Sequence, residues 1–124
     1  MPGQRILIVE DEFLNAAYYE AAALELGYEV CGIVDTAEAA VAAAAEKRPD
    51  LILMDIRLRG PLDGVWAATQ IRRTSDTPIL YLTAHVDPAT QERAAGTRPV
   101  GFLSKPVMVE ALQAGLSRAF GEAA

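Results

Sequence analysis

The stretch ILIVEDE at positions 6–12 joins four large aliphatic residues directly to three acidic ones. The apolar half has the length of a strand and no alternation with polar residues, so it predicts a strand buried on both faces. The acidic half places Glu10, Asp11 and Glu12 immediately beyond that strand. Because the apolar run ends after four residues in three charges, it is not the hydrophobic segment of a secretory signal peptide.

Four further apolar runs of strand length follow along the chain, and each is separated from the next by a segment long enough for a helix. They are Val30–Val34, Leu51–Met54, Ile79–Leu82 and Val100–Leu103. Strands that alternate with helices form parallel sheets, since each crossover returns the chain to the same end of the sheet. The pattern therefore predicts an α/β fold, (βα)5, with five parallel strands, helices on both faces and all five runs buried.

The segments between the runs carry helical spacing and capping residues. The first helix has apolar residues three and four positions apart, typical of one apolar face: Leu14, Ala17, Ala21 and Leu24. Gly27 is expected to end this helix. Either Asp35 or Thr36 is expected to cap the second, alanine-rich helix, and Asp63 the third. The segment Asp87–Ala95 is short and polar, and is the weakest helix of the five.

Composition narrows the class of protein. The chain has 124 residues, of which 52% are hydrophobic and 23% charged, which is typical of one globular domain spanning residues 1–124. A net charge of −6 disfavours direct binding to nucleic acid, because phosphate backbones are repelled. Cys31 is the single cysteine, which excludes an internal disulfide, and we expect it to be a small buried apolar residue. No uncharged apolar stretch is long enough for a membrane span, so we expect a cytoplasmic protein.

Polar side chains follow the predicted strands where those strands end. Asp55 follows the third strand and Lys105 the fifth, while Thr83 and His85 follow the fourth. In an open parallel sheet, ligands bind at this carboxyl edge. Crowded carboxylates need a proton or a cation to offset their repulsion, and an all-oxygen set suits Mg²⁺, with Mn²⁺ as a possible substitute. The edge therefore indicates a site that carries a phosphoryl group on an aspartate, with Lys105 as a second positive charge.

At these motifs the chain resembles, over nearly its whole length, the receiver domains of bacterial two-component response regulators. The motifs are ILIVEDE at 6–12, LILMD at 51–55, DG at 63–64, LTA at 82–84 and SKP at 104–106. The resemblance implies a flavodoxin-like doubly wound sheet with strand order 2-1-3-4-5. It also implies a phosphorylation-dependent switch rather than an enzyme, which receives its phosphoryl group from a sensor histidine kinase or a histidine phosphotransfer protein.

The resemblance assigns roles to individual residues. Asp55 accepts the phosphoryl group, and Thr83 and Lys105 bind its oxygens. Phe102 is the aromatic switch residue that turns inward when Thr83 moves. The implied metal ligands are Glu10, Asp11, Asp55 and the backbone carbonyl of Arg57.

Other positions depart from the common family pattern or are variable within the family. Glu10 stands where aspartate is commoner, and its longer side chain would reach a metal through water. The loop Ile56–Asp63 is one residue longer than usual. Arg57 and His85 are expected to tune the lifetime of the phosphoryl group. The resemblance places the signalling face on helix 4, strand 5 and helix 5, and leaves open a monomer or a phosphorylation-linked homodimer.

Three alternatives to a stand-alone receiver follow from the same residues. A receiver-fold adaptor would act without phosphorylation. An aspartate-nucleophile phosphatase would need a second aspartate where Arg57 stands. A flavin-binding protein would need a phosphate-cradling loop after the first strand, where three acidic residues stand instead.

Overall fold

The computed structural model describes residues 3–121, and its five parallel strands form one sheet in the order β2-β1-β3-β4-β5. Residues 1, 2 and 122–124 of the predicted domain lie outside the described part. All five predicted strands are confirmed, and so are the fold class and the strand order. The strands are β1 (Arg5–Val9), β2 (Glu29–Val34), β3 (Leu51–Asp55), β4 (Ile79–Thr83) and β5 (Gly101–Ser104).

A helix follows each strand, as predicted. The helices are α1 (Phe13–Glu25), α2 (Ala37–Lys47), α3 (Gly64–Arg72), α4 (Pro88–Ala95) and α5 (Val109–Ala119). Thr36 caps α2, because its hydroxyl accepts a hydrogen bond from the Ala39 amide at 3.1 Å. Asp63 caps α3 by accepting from the Trp66 amide at 2.8 Å. Gly27 follows the end of α1 with a φ of +97°, a conformation that glycine adopts without strain.

The sheet separates two apolar layers. Leu7 and Val9 of β1 pack on the side of α2 and α3, whereas Ile6 and Ile8 pack on the side of α1 and α5. Successive side chains of a strand point to opposite faces, so a strand covered by helices on both sides is apolar throughout. The apolar run at positions 6–9 is unbroken because helices cover β1 on both faces of the sheet.

Burial on both faces holds for β1, β3 and β4, but the prediction was wrong for the two edge strands. β2 and β5 are only partly buried, because each has a neighbouring strand on one side. Cys31 of β2 is accordingly half-buried rather than buried.

The predicted apolar face of α1 was also wrong, although the helix itself is confirmed. Leu14 and Leu24 are exposed, and the buried residues are Ala16, Tyr19, Ala22 and Ala23. Apolar residues in this helix recur at helical spacing on more than one face. The face with small alanines packs on the sheet, while Tyr19 fills the space beside them. Within residues 3–121, no helix is long and apolar enough to cross a membrane.

Candidate functional site

Lys105 connects the ends of three strands at the carboxyl edge of the sheet. Its Nζ lies 2.8 Å from Oδ2 of Asp55, which ends β3, and 3.0 Å from Oε1 of Glu10, which follows β1. The Lys105 amide donates to the Thr83 carbonyl at 2.8 Å, which extends the pairing of β4 with β5 to the site. The sheet thus brings together residues up to 95 positions apart in the sequence.

Burial makes this ion pair network electrostatically strong. Glu10 is 2% exposed and Asp55 is 4% exposed. Burial raises the pKa of the Glu10 carboxyl, although hydrogen bonds from the Glu12 amide and Lys105 work against that rise. Burial alone would lower the pKa of Lys105, but its hydrogen bonds to Asp55 and Glu10 outweigh that effect and raise it above its ordinary value. Lys105 is therefore a permanent positive charge at the site.

Glu10, Asp11 and Asp55 form a carboxylate cluster, each offering one oxygen within 4.8 Å of the others. Three carboxylates and one ammonium leave two negative charges, which one divalent cation would neutralise. The all-oxygen donor set fits Mg²⁺. Both oxygens of Glu10 already accept hydrogen bonds, from Lys105 and from the Glu12 amide at 3.0 Å. Asp11 and Asp55 are consequently the better direct ligands.

Asp55 lines a cleft of about 150 Å³ together with Glu12, Arg57 and Lys105. One water occupies about 30 Å³ in the liquid, so the cleft holds a group of several heavy atoms. Arg57 is exposed at this cleft, and its predicted influence on the lifetime of the phosphoryl group stays a prediction. Glu12 lines the cleft but lies outside the carboxylate cluster.

Thr83 lines a second, neighbouring cavity and not the cleft over Asp55. Its hydroxyl donates to the Ala84 carbonyl at 2.7 Å. Phe102 and the exposed His85 line the same cavity, which has a volume of about 240 Å³. The Phe102 ring stacks on Tyr81 with centroids 5.4 Å apart and is 36% exposed. The structure thus gathers the carboxylates and Lys105 but leaves Thr83 and Phe102 beside them.

Gly64 holds the start of α3 against the backbone of Asp55, a role that the sequence analysis missed. A Cβ at this position would lie 2.1 Å from the Asp55 carbonyl oxygen, far inside van der Waals contact. The Gly64 amide donates to the Ile56 carbonyl at 2.7 Å. A glycine directly after a capping aspartate is the one signal in the sequence that points to such a close approach.

A second feature that was missed is the exposed apolar surface beside the cleft. Phe13 and Leu14, in the first turn of α1, are 82% and 80% exposed. Met108, just before α5, is also exposed. The Tyr18 hydroxyl donates to the Val107 carbonyl at 2.9 Å and so holds α1 beside the segment that precedes α5. We call Phe13, Leu14, Tyr18 and Met108 the apolar rim.

Comparison with known proteins identifies the family of the chain. Residues 6–117 match the family described as response regulator receiver domain, and the chain belongs to that family. It is 37% identical over 116 residues to the phyllosphere-induced regulator PhyR of Methylorubrum extorquens, covering 92% of this chain and 42% of PhyR. It is 34% identical over 109 residues to the transcriptional regulatory protein PdtaR of Mycobacterium tuberculosis, covering 88% and 53%. The chain thus spans about half the length of these relatives.

Solved structures resemble the whole described fold. The signal receiver domain of a modulated diguanylate cyclase from Desulfovibrio desulfuricans has a TM-score of 0.88 and 39% identity, covering 94% of this chain and 93% of its own. The receiver domain of the Pseudomonas aeruginosa sensor histidine kinase PA1611 has a TM-score of 0.86 and 37% identity, covering 97% and 99%. That structure holds a magnesium ion in its active-site cleft. The family assigns this chain a general role in signal transduction.

Proposed function

We propose that the chain is a phosphorylation-controlled switch of a two-component system or phosphorelay, with Asp55 as the phosphoacceptor. The observation that carries the proposal is the position of the Asp55 carboxylate. It lines a cleft, 2.8 Å from a lysine ammonium and within the carboxylate cluster. A carboxylate held beside positive charge can attack phosphorus, because that charge neutralises the oxygens of the incoming group.

The chemistry is a transfer of one phosphoryl group. A carboxylate oxygen of Asp55 forms the new bond to phosphorus. In a phosphohistidine donor the phosphorus–nitrogen bond breaks, and its electron pair and a proton go to the imidazole. Lys105 stays charged throughout and follows the oxygens of the new acyl phosphate, while the Thr83 hydroxyl donates to them after leaving the Ala84 carbonyl. The chain catalyses only its own phosphorylation and dephosphorylation.

Asp11 and Asp55 are the residues we assign to Mg²⁺, with Glu10 in support and the Arg57 carbonyl as a further ligand. The bound ion supplies positive charge that offsets the repulsion between the carboxylates and an anionic donor. The magnesium ion in the PA1611 receiver domain supports this assignment. The net charge of the four side chains, two negative units, suits a divalent ion.

The apolar rim indicates what delivers the phosphoryl group. Phe13 and Leu14 are large and mostly exposed, and they directly follow Glu12, which lines the cleft. Exposed apolar patches are typical of protein-binding surfaces. A sensor histidine kinase or histidine phosphotransfer protein that covers this rim would bring its phosphohistidine over Asp55. The switched surface is α4, β5 and α5, where Phe102 responds to the movement of Thr83.

Intact-protein mass spectrometry after incubation with acetyl phosphate tests the function. We expect one added phosphoryl group that requires Mg²⁺ and that is absent from Asp55→Asn. A second matched variant, Asp50→Asn, removes one exposed carboxylate outside the cluster and should be phosphorylated like the wild type. If no adduct forms with acetyl phosphate or with a phosphorylated histidine phosphotransfer protein, the chain is a receiver-fold adaptor that works without phosphorylation.

A further inference from the structure

Asp63 takes part in two different contacts at once. Its Oδ1 caps α3 by accepting from the Trp66 amide at 2.8 Å. Its carboxylate also accepts from both terminal nitrogens of Arg93, with Nη1 at 3.1 Å from Oδ2 and Nη2 at 3.4 Å from Oδ1. Arg93 belongs to α4. The pair, which we call the clasp, therefore ties α4 to the first turn of α3.

The α3 end of the clasp is fixed relative to the phosphoacceptor. Gly64 is the next residue after Asp63, and the ideal position of its missing Cβ lies 2.1 Å from the Asp55 carbonyl oxygen. The Gly64 amide also donates to the Ile56 carbonyl at 2.7 Å. The start of α3 therefore cannot shift without disturbing the backbone of Asp55, and Asp63 is a fixed anchor for Arg93.

The α4 end is held much less firmly. Of the eight residues of α4, all of which the structure describes, Ala94 alone is buried. The helix starts at Pro88, and only four residues separate it from Thr83, whose hydroxyl donates to the Ala84 carbonyl. For Thr83 to donate to a phosphoryl group on Asp55, this hydrogen bond must break, which releases the Ala84 carbonyl at the start of the segment 84–87. That segment leads directly into the first residue of α4.

We propose that the clasp is a conformational restraint that holds α4 and the segment 84–87 in the arrangement that keeps Thr83 away from Asp55. The proposal rests on the proposed function and adds Arg93 and Asp63 to it as positioning residues. Opening the clasp frees α4 and shifts the population toward the arrangement that binds the phosphoryl group. The clasp therefore sets how readily the unphosphorylated chain is activated.

The size of the effect follows from the exposure of the pair. The side chains of Arg93 and Asp63 are 52% and 31% exposed, so water and salt screen their attraction. Partly exposed pairs of this kind shift an equilibrium by about 1.5- to 5-fold. A restraint of that strength tunes a two-state switch and does not lock it.

The first test measures the affinity for beryllium fluoride, a phosphoryl mimic, in the presence of Mg²⁺. The fluorescence of Trp66 reports the binding. We expect Arg93→Gln to bind it about 1.5- to 5-fold more tightly than the wild type. Asp63→Asn should do the same, because asparagine keeps the helix cap while it removes the charge. Glu92→Gln is the control, since it changes the charge of an exposed residue of α4 outside the clasp. A purely structural role would lower stability and could not tighten binding.

The double variant Asp63→Asn/Arg93→Gln tests whether the two residues act through their contact with each other. Each single change already opens the clasp, so the double variant should bind like either single variant rather than show the product of both effects. Equal affinity of wild type and Arg93→Gln would overturn the clasp and leave the proposed function standing. Failure of the wild type to bind beryllium fluoride would overturn both. Amide hydrogen exchange of residues 88–97 should be faster in Arg93→Gln than in Glu92→Gln.

Discussion

Lys105 forms an ion pair with each of two buried carboxylates and so offsets part of the repulsion between them. Its ammonium is within 3.0 Å of both Glu10 and Asp55, and both of those residues are almost completely buried. Burial of unpaired carboxylates would force them to take up protons. Because Lys105 carries one positive charge against three carboxylates, the cluster keeps a negative excess that attracts a cation. One side chain thus both stabilises the site and sets its affinity for metal.

Replacement of Lys105 should change metal binding and phosphorylation in opposite directions. In Lys105→Met no ammonium competes with Mg²⁺ for the carboxylates, so we expect Mg²⁺ to bind about 2- to 10-fold more tightly at an alkaline pH, which favours the charged form of buried carboxyl groups. Phosphorylation by acetyl phosphate should slow, because no ammonium meets the phosphoryl oxygens. Calorimetric titration with Mg²⁺ measures the first effect and intact mass the second. Weaker Mg²⁺ binding in this variant would contradict the charge balance.

The helix α2 shows how contacts at the end of an element stabilise it. Its alanine-rich sequence buries only small side chains, namely Ala37, Ala40 and Ala43. Thr36 caps its start, and the Arg5 side chain from β1 donates to the Lys47 and Arg48 carbonyls at 2.6 and 3.2 Å at its end. These hydrogen bonds satisfy backbone groups that a helix leaves without partners. A helix with little apolar area depends more on such end contacts.

Asp35 and Thr36 could both cap α2 on sequence grounds, but their replacement by alanine should lower the free energy of unfolding by clearly different amounts. Thr36→Ala removes the bond to the Ala39 amide and should lower the free energy of unfolding by about 1 kcal/mol. Asp35→Ala removes only an exposed ion pair to Arg59, so its effect should stay within about 0.5 kcal/mol. Urea unfolding of both variants measures the difference. Equal losses would mean that Thr36 is not the dominant cap.

The whole molecule is one sheet between two apolar layers, and its functional site lies where loops from three strands meet. The proposed metal ligands do not lie close together in the unfolded chain, because the second strand and its two flanking helices separate Asp11 from Asp55 in the sequence. A ligand that binds only the folded chain stabilises it in proportion to the logarithm of its concentration. Binding of Mg²⁺ at the proposed site would therefore stabilise the folded chain.

Added Mg²⁺ should raise the unfolding temperature of the chain, and a chelator should reverse the effect. At a hundredfold excess over the dissociation constant the gain is about 2.7 kcal/mol, which in a domain of this size raises the unfolding temperature by several degrees. Asp11→Asn should abolish most of the rise, whereas Asp76→Asn, an exposed residue far along the chain, should keep it. Scanning calorimetry with and without Mg²⁺ makes the comparison. An undiminished rise in Asp11→Asn would place the ion elsewhere.

Several features of the structure could be predicted because they depend on short stretches of chain. The five apolar runs specify strands, and a helix-length segment between them forces parallel pairing. Residues that directly follow the strands then share one edge. Glu10, Asp11, Asp55 and Lys105 were identified in this way and do lie together. Thr36 and Asp63 were recognised as candidate caps by the same local logic.

Only the tertiary structure decided which of several equivalent local patterns contacts the core. The apolar spacing of Leu14 and Leu24 is as helical as that of the buried face, and packing against the sheet selected the face with Tyr19 instead. The clasp joins Asp63 to Arg93 across 30 positions and follows no periodicity. The sequence by itself determined the strands, their order along the chain and the charged residues that follow them, because each of these features arises within a single element or directly after it. The relative placement of helices on the sheet determined the exposed apolar rim and the clasp, because each depends on how two separate elements meet.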